Sequence, residues 1–156
     1  MTNTLHKTLV FERTIKAPPE AVFAAFVDPV ARAQWGTPSD TATVIYDKTD
    51  FREGGRDRFR CGSKTNPNID GETHYLDIVM NRRIVSSETV SMDGKRLCAS
   101  LTTLELTPTS GGTKLLNTTQ LASFAGDDMV KGHTQGTNAS LDNLVRHFPL
   151  RQSLAI

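Results

Sequence analysis

The chain has 156 residues and carries 18 lysines and arginines against 17 aspartates and glutamates, a formal net charge of +1. This length predicts one domain, spanning residues 1–156, with room for a buried core, and the near-neutral charge argues against nucleic acid or an anionic membrane as a partner. Two cysteines, Cys61 and Cys98, are too few for a disulfide scaffold or a four-ligand zinc site, so we expect free thiols in a reducing cytoplasm.

The sequence contains no obvious targeting or membrane segment. No stretch approaches the roughly 20 apolar residues that a membrane helix needs. The first residues contain no apolar run of the kind found in secretory signals. We therefore expect a cytoplasmic protein without a membrane partner.

The first part of the chain predicts one strand and two short helices. Residues 6–17 alternate in polarity, which is typical of a strand. Two adjacent prolines suit the first turn of a helix over residues 17–28. Asp28 then suits the N-cap of a second helix, with Pro29 at its first position and Trp35 at its end.

The rest of the chain predicts hairpins and then a long helix. Six segments rich in Val, Ile, Thr and aromatic residues lie at 41–47, 56–62, 72–79, 83–90, 96–106 and 113–122. Turn residues separate them, including residues 66–71 and the pair Asp93–Gly94. From Asp127 to Phe148 no proline interrupts a stripe with helical spacing. This order predicts an α+β fold, with about seven antiparallel strands and helices segregated against the sheet.

Three arginines alternate along the second predicted strand of the hairpin region, at positions 56, 58 and 60. They follow two glycines, but a strand and not a helix comes next, so the stretch is no phosphate-binding loop. The face lacks interleaved aromatics that would favour nucleic acid. We interpret it as a solvated sheet face paired with acids such as Asp77.

Five stretches in order resemble one protein family: "FERTIKAPPEAVFAAFVDPVARAQWG", "GGRDRFRCG", "YLDIVMNRRIV", "LTTLELTPTSGGTKL" and "GTNASLDNLVRHF". Together they resemble the START-like, or SRPBCC, superfamily. The best match within it is the bacterial branch related to the C-terminal domain of the activator of the ninety-kilodalton heat-shock chaperone ATPase. The resemblance covers nearly the whole chain.

The resemblance implies a helix-grip fold like that of the birch-pollen allergens, with a deep cavity between a curved sheet and the C-terminal helix. Members bind lipids, hormones or polyketides, some are cyclases or hydrolases, and some regulate a chaperone ATPase. Two positions depart from the family pattern. Trp35 is followed by Gly36 in place of a second tryptophan, and Thr137 follows Gly136 where tryptophan is usual. The lost bulk either enlarges the cavity or is compensated by repacking.

Strand periodicity gives candidate catalytic residues. Asp57 shares a face with Phe59 and Cys61, which are residues of the buried type. His74 shares the more apolar face of its strand. The family resemblance implies that Glu88 points inward as well, because related sequences often carry aromatic residues at the positions of Ser86 and Glu88. A carboxylate beside an imidazole would hold its tautomer and raise its pKa, as a general base requires. His74 paired with Asp57 or Glu88 is therefore the catalytic hypothesis.

The primary expectation is a protein that binds a small amphipathic molecule in the cavity and uses neither a cofactor nor a metal. The alternatives are a cyclase-, hydrolase- or isomerase-like enzyme acting in the same cavity, and a regulator of a chaperone ATPase. The sequence leaves a homodimer open. The predicted ligand-binding residues are Phe26, Trp35, Phe59, Cys61, Leu76, Ile78, Ser86, Cys98, Ser100, Thr102, Met129, His133, Thr137 and Leu141.

Overall fold

Strands and helices follow the predicted order in the computed structural model, which describes residues 3–154 and, of these, the side chains of residues 3–148. The strands are β1 (Leu5–Ile15), β2 (Ala42–Lys48), β3 (Arg56–Ser63), β4 (Asn66–Val79), β5 (Arg83–Met92), β6 (Lys95–Thr109) and β7 (Gly112–Ser123). The helices are α1 (Pro19–Val27), α2 (Pro29–Gly36) and α3 (Gly126–Leu154). None of the helices in this part of the chain is long and apolar enough to cross a membrane.

The strands form one antiparallel sheet in the order β1-β7-β6-β5-β4-β3-β2. Successive hairpins connect β2 through β7, and β1 pairs with β7 along its whole length. Helices α1 and α2 lie between β1 and β2 in the chain, and α3 packs against β1, β7 and α2. The predicted α+β helix-grip fold is confirmed.

The core lies between the sheet and α3. Leu141, Leu144 and Phe148 of α3 belong to one buried cluster with Phe11 and Ile15 of β1. Each fully buried side chain of this kind contributes about 1.5–3 kcal/mol relative to its exposed form. This packing fixes α3 over one half of the sheet.

Helix α2 begins where α1 ends. Asp28 follows α1, and its Oδ1 atom accepts a hydrogen bond from the backbone N–H of Val30 at 3.0 Å. The adjacent Pro29 fits the first helical position because it lacks an N–H that would need a partner. The cap sets the direction of α2, which buries Ala31 and Arg32 against the rest of the molecule.

The turn predicted at residues 66–71 is wrong. Strand β4 already begins at Asn66, and the hairpin closes where Ser63 pairs with that residue. Gly71 therefore lies inside the strand, opposite Phe59. A Cβ atom at Gly71 would lie 2.0 Å from Cζ of Phe59, so the glycine makes room for that ring and does not turn the chain.

The two glycines before β3 are required for different structural reasons. Gly54 has a φ of +81°, which favours glycine, and a Cβ atom on Gly55 would lie 2.1 Å from the carbonyl oxygen of Asp50.

The arginines of β3 lie on the outer face of the sheet, where Arg56 pairs with Glu72 at 3.1 Å and Arg60 pairs with Asp47 at 2.8 Å. The predicted solvated arginine face is therefore observed.

Asp77, named as an acid that could pair with those arginines, has a different partner. Its Oδ2 atom accepts a hydrogen bond from Nε of Arg83 at 2.6 Å. Asp77 and Arg83 flank the tight turn between β4 and β5, so the pair links the two ends of one hairpin.

Candidate functional site

Asp57 and Glu88 lie on the inner face of the sheet, which faces the helices. Asp57 is in register with Thr73 on β4, and Thr73 is in register with Glu88 on β5. Residues opposite one another on antiparallel strands share a face, so the two carboxylates stand on either side of one threonine. Ser100 on β6 continues the row beyond Glu88.

His74 lies on the outer face of the sheet, so its predicted inward orientation is wrong. Its Nε2 atom is 3.1 Å from Oε1 of Glu72, and its side chain is 46% exposed. Tyr75 takes the inner face, and a bulge then places Leu76 and Asp77 outside before Ile78 returns to the core. The bulge interrupts the alternation of side chains along β4. The polar residue that points inward is therefore Tyr75, whose hydroxyl group makes a hydrogen bond there.

A pocket of about 190 Å³ lies over this part of the inner face. Aromatic and aliphatic side chains line one part of it, namely Phe26, Tyr46, Phe51, Phe59, Tyr75, Ile84 and Leu104. Polar side chains line the other part, namely Arg32, Asp57, Thr73, Ser86, Glu88 and Asn117. The pocket therefore presents an apolar surface beside a group of charged and hydroxyl side chains.

A buried ion pair forms the centre of the polar part. Nη1 of Arg32 donates hydrogen bonds to Oδ2 of Asp57 at 2.5 Å and to the hydroxyl oxygen of Tyr75 at 2.9 Å. The Tyr75 hydroxyl in turn donates to Asp57, and the backbone N–H of Asp50 donates to Oδ1 of Asp57 at 3.3 Å. Arg32 is 8% exposed and Asp57 is 1% exposed, so water screens this pair little.

Only part of the hydrogen-bonding capacity of the Arg32 guanidinium group is used. Its Cζ atom lies 4.5 Å from the centre of the Tyr46 ring, in cation–π geometry. Its Nε and Nη2 atoms are closed off from solvent and have no hydrogen-bond partner in the described part of the chain. A buried donor without an acceptor costs about 1–3 kcal/mol. Burial alone would lower the pKa of Arg32, but Tyr75, Tyr46 and Asp57 raise it, so the group stays cationic.

Glu88 faces the same pocket from β5. Its Oε2 atom accepts a hydrogen bond from the Thr73 hydroxyl at 3.0 Å. The residue is half-buried and lines the pocket. Burial raises the pKa of Glu88, the hydrogen bond from Thr73 opposes this, and the charge of Asp57 adds to the rise. The two carboxylates therefore have different environments, one paired with a cation and one without.

The sequence matches one protein family over most of its length. The family is described as Activator of Hsp90 ATPase homolog 1-like protein, and the match covers residues 16–148. The chain belongs to this family. No curated protein matches it.

Solved structures of proteins with similar sequences have the same fold. A protein from Rhizobium loti is 36% identical, with a TM-score of 0.82 over 93% of this chain and 99% of that one. An uncharacterized protein from Rhizobium leguminosarum is 34% identical, with a TM-score of 0.80 over 91% and 93% of the two chains. A protein from Chromobacterium violaceum is 26% identical, with a TM-score of 0.74 over 90% and 96%.

Several predicted ligand-binding residues of this family member lie elsewhere on the inner side of the molecule. Trp35 donates from Nε1 to the carbonyl oxygen of Ala25 at 3.0 Å and packs on Phe26, which does line the pocket. Thr102 shares a hydrogen bond of 3.1 Å with Thr119. The residues that face inward but do not line this pocket among the described side chains are Trp35, Cys61, Ile78, Cys98, Ser100 and Thr102.

The residues predicted on the C-terminal helix also lie away from this pocket. Leu141 is core, whereas Met129, His133 and Thr137 are half-buried. Burial lowers the pKa of His133. A Cβ atom on Gly36, which stands in place of the second tryptophan, would meet nothing within 4 Å, so no other side chain refills that point.

The two inward-facing thiols and the possible metal ligands also bear on the chemistry of this region. Burial, followed by the charge of Glu88, raises the pKa of both Cys61 and Cys98 to about 11, so both thiols stay protonated near neutral pH. Among the described side chains no group of three His, Cys, Asp or Glu residues is arranged to hold a metal ion.

The sequence reasoning missed Arg32, Tyr46 and Tyr75. An arginine on a short helix is normally a surface residue, and no pattern within one strand shows that a distant helix will bring a cation to it. One signal was available: Arg32 lies three residues before Trp35 and therefore on the same side of α2.

Proposed function

We propose that the protein binds a small amphipathic molecule in the pocket between the inner face of the sheet and helices α1 and α2. One observation carries the proposal. A recess lined by three phenylalanines also borders a buried arginine, two carboxylates and an amide. Such a combination of an apolar surface with a few converging polar groups is typical of ligand sites.

The volume limits the ligand to a compact molecule. Pockets for drug-sized ligands occupy about 300–1,000 Å³, whereas this one has about 190 Å³. That space corresponds to about six water molecules at roughly 30 Å³ each. The deep cavity expected from the family resemblance is therefore small in this chain, and a single ring or short branched chain suits it.

A pocket-filling variant tests the proposal. Ser86→Leu adds carbon atoms on the pocket wall, whereas Ser87→Leu adds the same atoms on the opposite face of the same strand. A library of compact aromatic compounds is screened by backbone NMR against both variants and the parent chain. We expect compounds that shift the signals of pocket residues in the parent and in Ser87→Leu, but not in Ser86→Leu. Hits that survive in Ser86→Leu would contradict the proposal.

Regulation of a chaperone ATPase is a second candidate, and it rests on the family match alone. Adding the protein to the purified chaperone and measuring ATP hydrolysis tests it. An unchanged rate over a wide range of protein concentrations would rule this function out. The pocket proposal does not depend on the result.

A further inference from the structure

Arg32 has one hydrogen-bonding edge in use and one edge free. Nη1 serves Asp57 and Tyr75, whereas Nε and Nη2 have no partner in the described part of the chain. Arg32 is 8% exposed and is one of the residues that line the pocket. Buried donors without acceptors are rare in folded proteins, so this edge points to an oxygen acceptor that the chain itself does not supply.

Another arginine of this protein shows which chemical group such an edge binds. On the outer face, Nε and Nη2 of Arg60 donate to the two oxygens of the Asp47 carboxylate at 2.8 and 2.9 Å. This side-on, two-bond arrangement matches the planar fork of arginine to a carboxylate. The free edge of Arg32 carries the same two nitrogens.

The surrounding charges admit one further anion better than two. Asp57 balances the charge of Arg32, and burial raises the pKa of Tyr46 and of Tyr75, which keeps both hydroxyls neutral. Burial also raises the pKa of Glu88, which disfavours the charged form of a third acid beside the ligand. A single carboxylate at the free edge would therefore share the guanidinium group with Asp57, whereas a second ligand anion would have no cation to pair with.

We propose that the pocket takes a compact monocarboxylic acid, whose carboxylate accepts hydrogen bonds from Nε and Nη2 of Arg32 and whose apolar body lies against Phe26, Phe51 and Phe59. This inference rests on the proposed function and names the class of its ligand. Because both nitrogens are closed off from solvent, entry requires one wall residue to move. The Tyr46 ring covers one face of the guanidinium group and is the wall that we expect to move.

Three probes with a common ring separate the contributions: benzoate, benzamide and toluene. They are titrated into isotope-labelled protein, and the side-chain Nε–H signals of the arginines are followed together with the backbone signals of pocket residues. We expect benzoate to shift the Nε–H signal of Arg32 and to bind at least about tenfold more tightly than benzamide, because the charged acceptor makes two stronger bonds. The Nε–H measurement needs no variant.

Two lysine variants provide the matched comparison. Arg32→Lys keeps a cation beside Asp57 but removes the fork, and we expect it to lose the preference for benzoate. Arg60→Lys makes the same change at the outer carboxylate pair and should keep the preference.

The outcomes separate the two proposals. Equal binding of benzoate and benzamide, or benzoate shifts that spare Arg32, would overturn the carboxylate inference and leave the proposed function standing. If none of the three probes, toluene included, shifts any pocket signal, both proposals are contradicted.

Discussion

Removing the cation from the buried pair should destabilise the protein strongly. In Arg32→Met, Asp57 stays 1% exposed and loses its bond to Nη1, keeping only the Tyr75 hydroxyl and the backbone N–H of Asp50. Leaving one member of a buried ion pair without its partner costs about 3–5 kcal/mol. For a chain of this length that corresponds to a fall of roughly 6–20 °C in Tm.

The double variant Arg32→Met/Asp57→Asn should recover most of that loss. Asparagine has nearly the shape of aspartate, can still accept the Tyr75 hydrogen bond, and carries no charge that needs a partner. Replacing a buried pair by neutral groups of similar volume is often neutral for stability or even favourable. We therefore expect a coupling energy of about 3 kcal/mol between the two positions, measured by urea unfolding of the parent, both single variants and the double variant.

The exposed pair of Arg60 and Asp47 is the control for this cycle. The same substitutions there should give a coupling too small to resolve, because solvent screens surface pairs. If Arg32→Met costs no more than Arg60→Met, or if the double variant loses the sum of its two single variants, the account of the buried pair is wrong.

Two further predictions concern Glu88 and Gly71. Because the pKa of Glu88 is raised above its ordinary value of 4.5, the folded chain holds this proton more tightly, so the free energy of unfolding should fall as pH rises from about 4.5 through the folded pKa. Glu88→Gln should remove that slope in unfolding curves across this range, and an unchanged slope would show that another group causes it. Gly71→Ala should cost about 1–3 kcal/mol, because its Cβ atom would lie 2.0 Å from the Phe59 ring, whereas Gly111→Ala, where a Cβ atom meets nothing, should change stability far less in the same assay.

Local signals predicted most of the fold because its elements begin and end at residues with strong backbone preferences. Asp28 caps α2 as expected, and Asp93–Gly94 forms the tight turn between β5 and β6, with positive φ at both residues. Gly71 misled because a glycine that makes room for a ring looks the same in sequence as a glycine that turns the chain.

The site was predicted only in part because its residues converge from separate elements. Strand alternation with Phe59 and Cys61 indicated the inward orientation of Asp57, and the family resemblance indicated that of Glu88. His74 failed because a single bulge after Tyr75 changes the phase of β4, and alternation carries no record of a bulge. Arg32 was missed because only the tertiary packing of α2 against the sheet brings it to Asp57.

The buried pair also bears on function, since stability alone gives little reason for it. A buried ion pair adds little net stability over apolar residues of the same volume. Unlike apolar residues in its place, the ion pair holds a guanidinium group in one orientation. Asp57 and Tyr75 occupy one edge of Arg32, and the other edge has no partner in the described part of the chain. The Arg32→Met/Asp57→Asn variant should therefore separate the two roles, keeping near-parental stability while losing the preference for benzoate over benzamide. Loss of stability with retained preference would assign the pair to folding and not to binding.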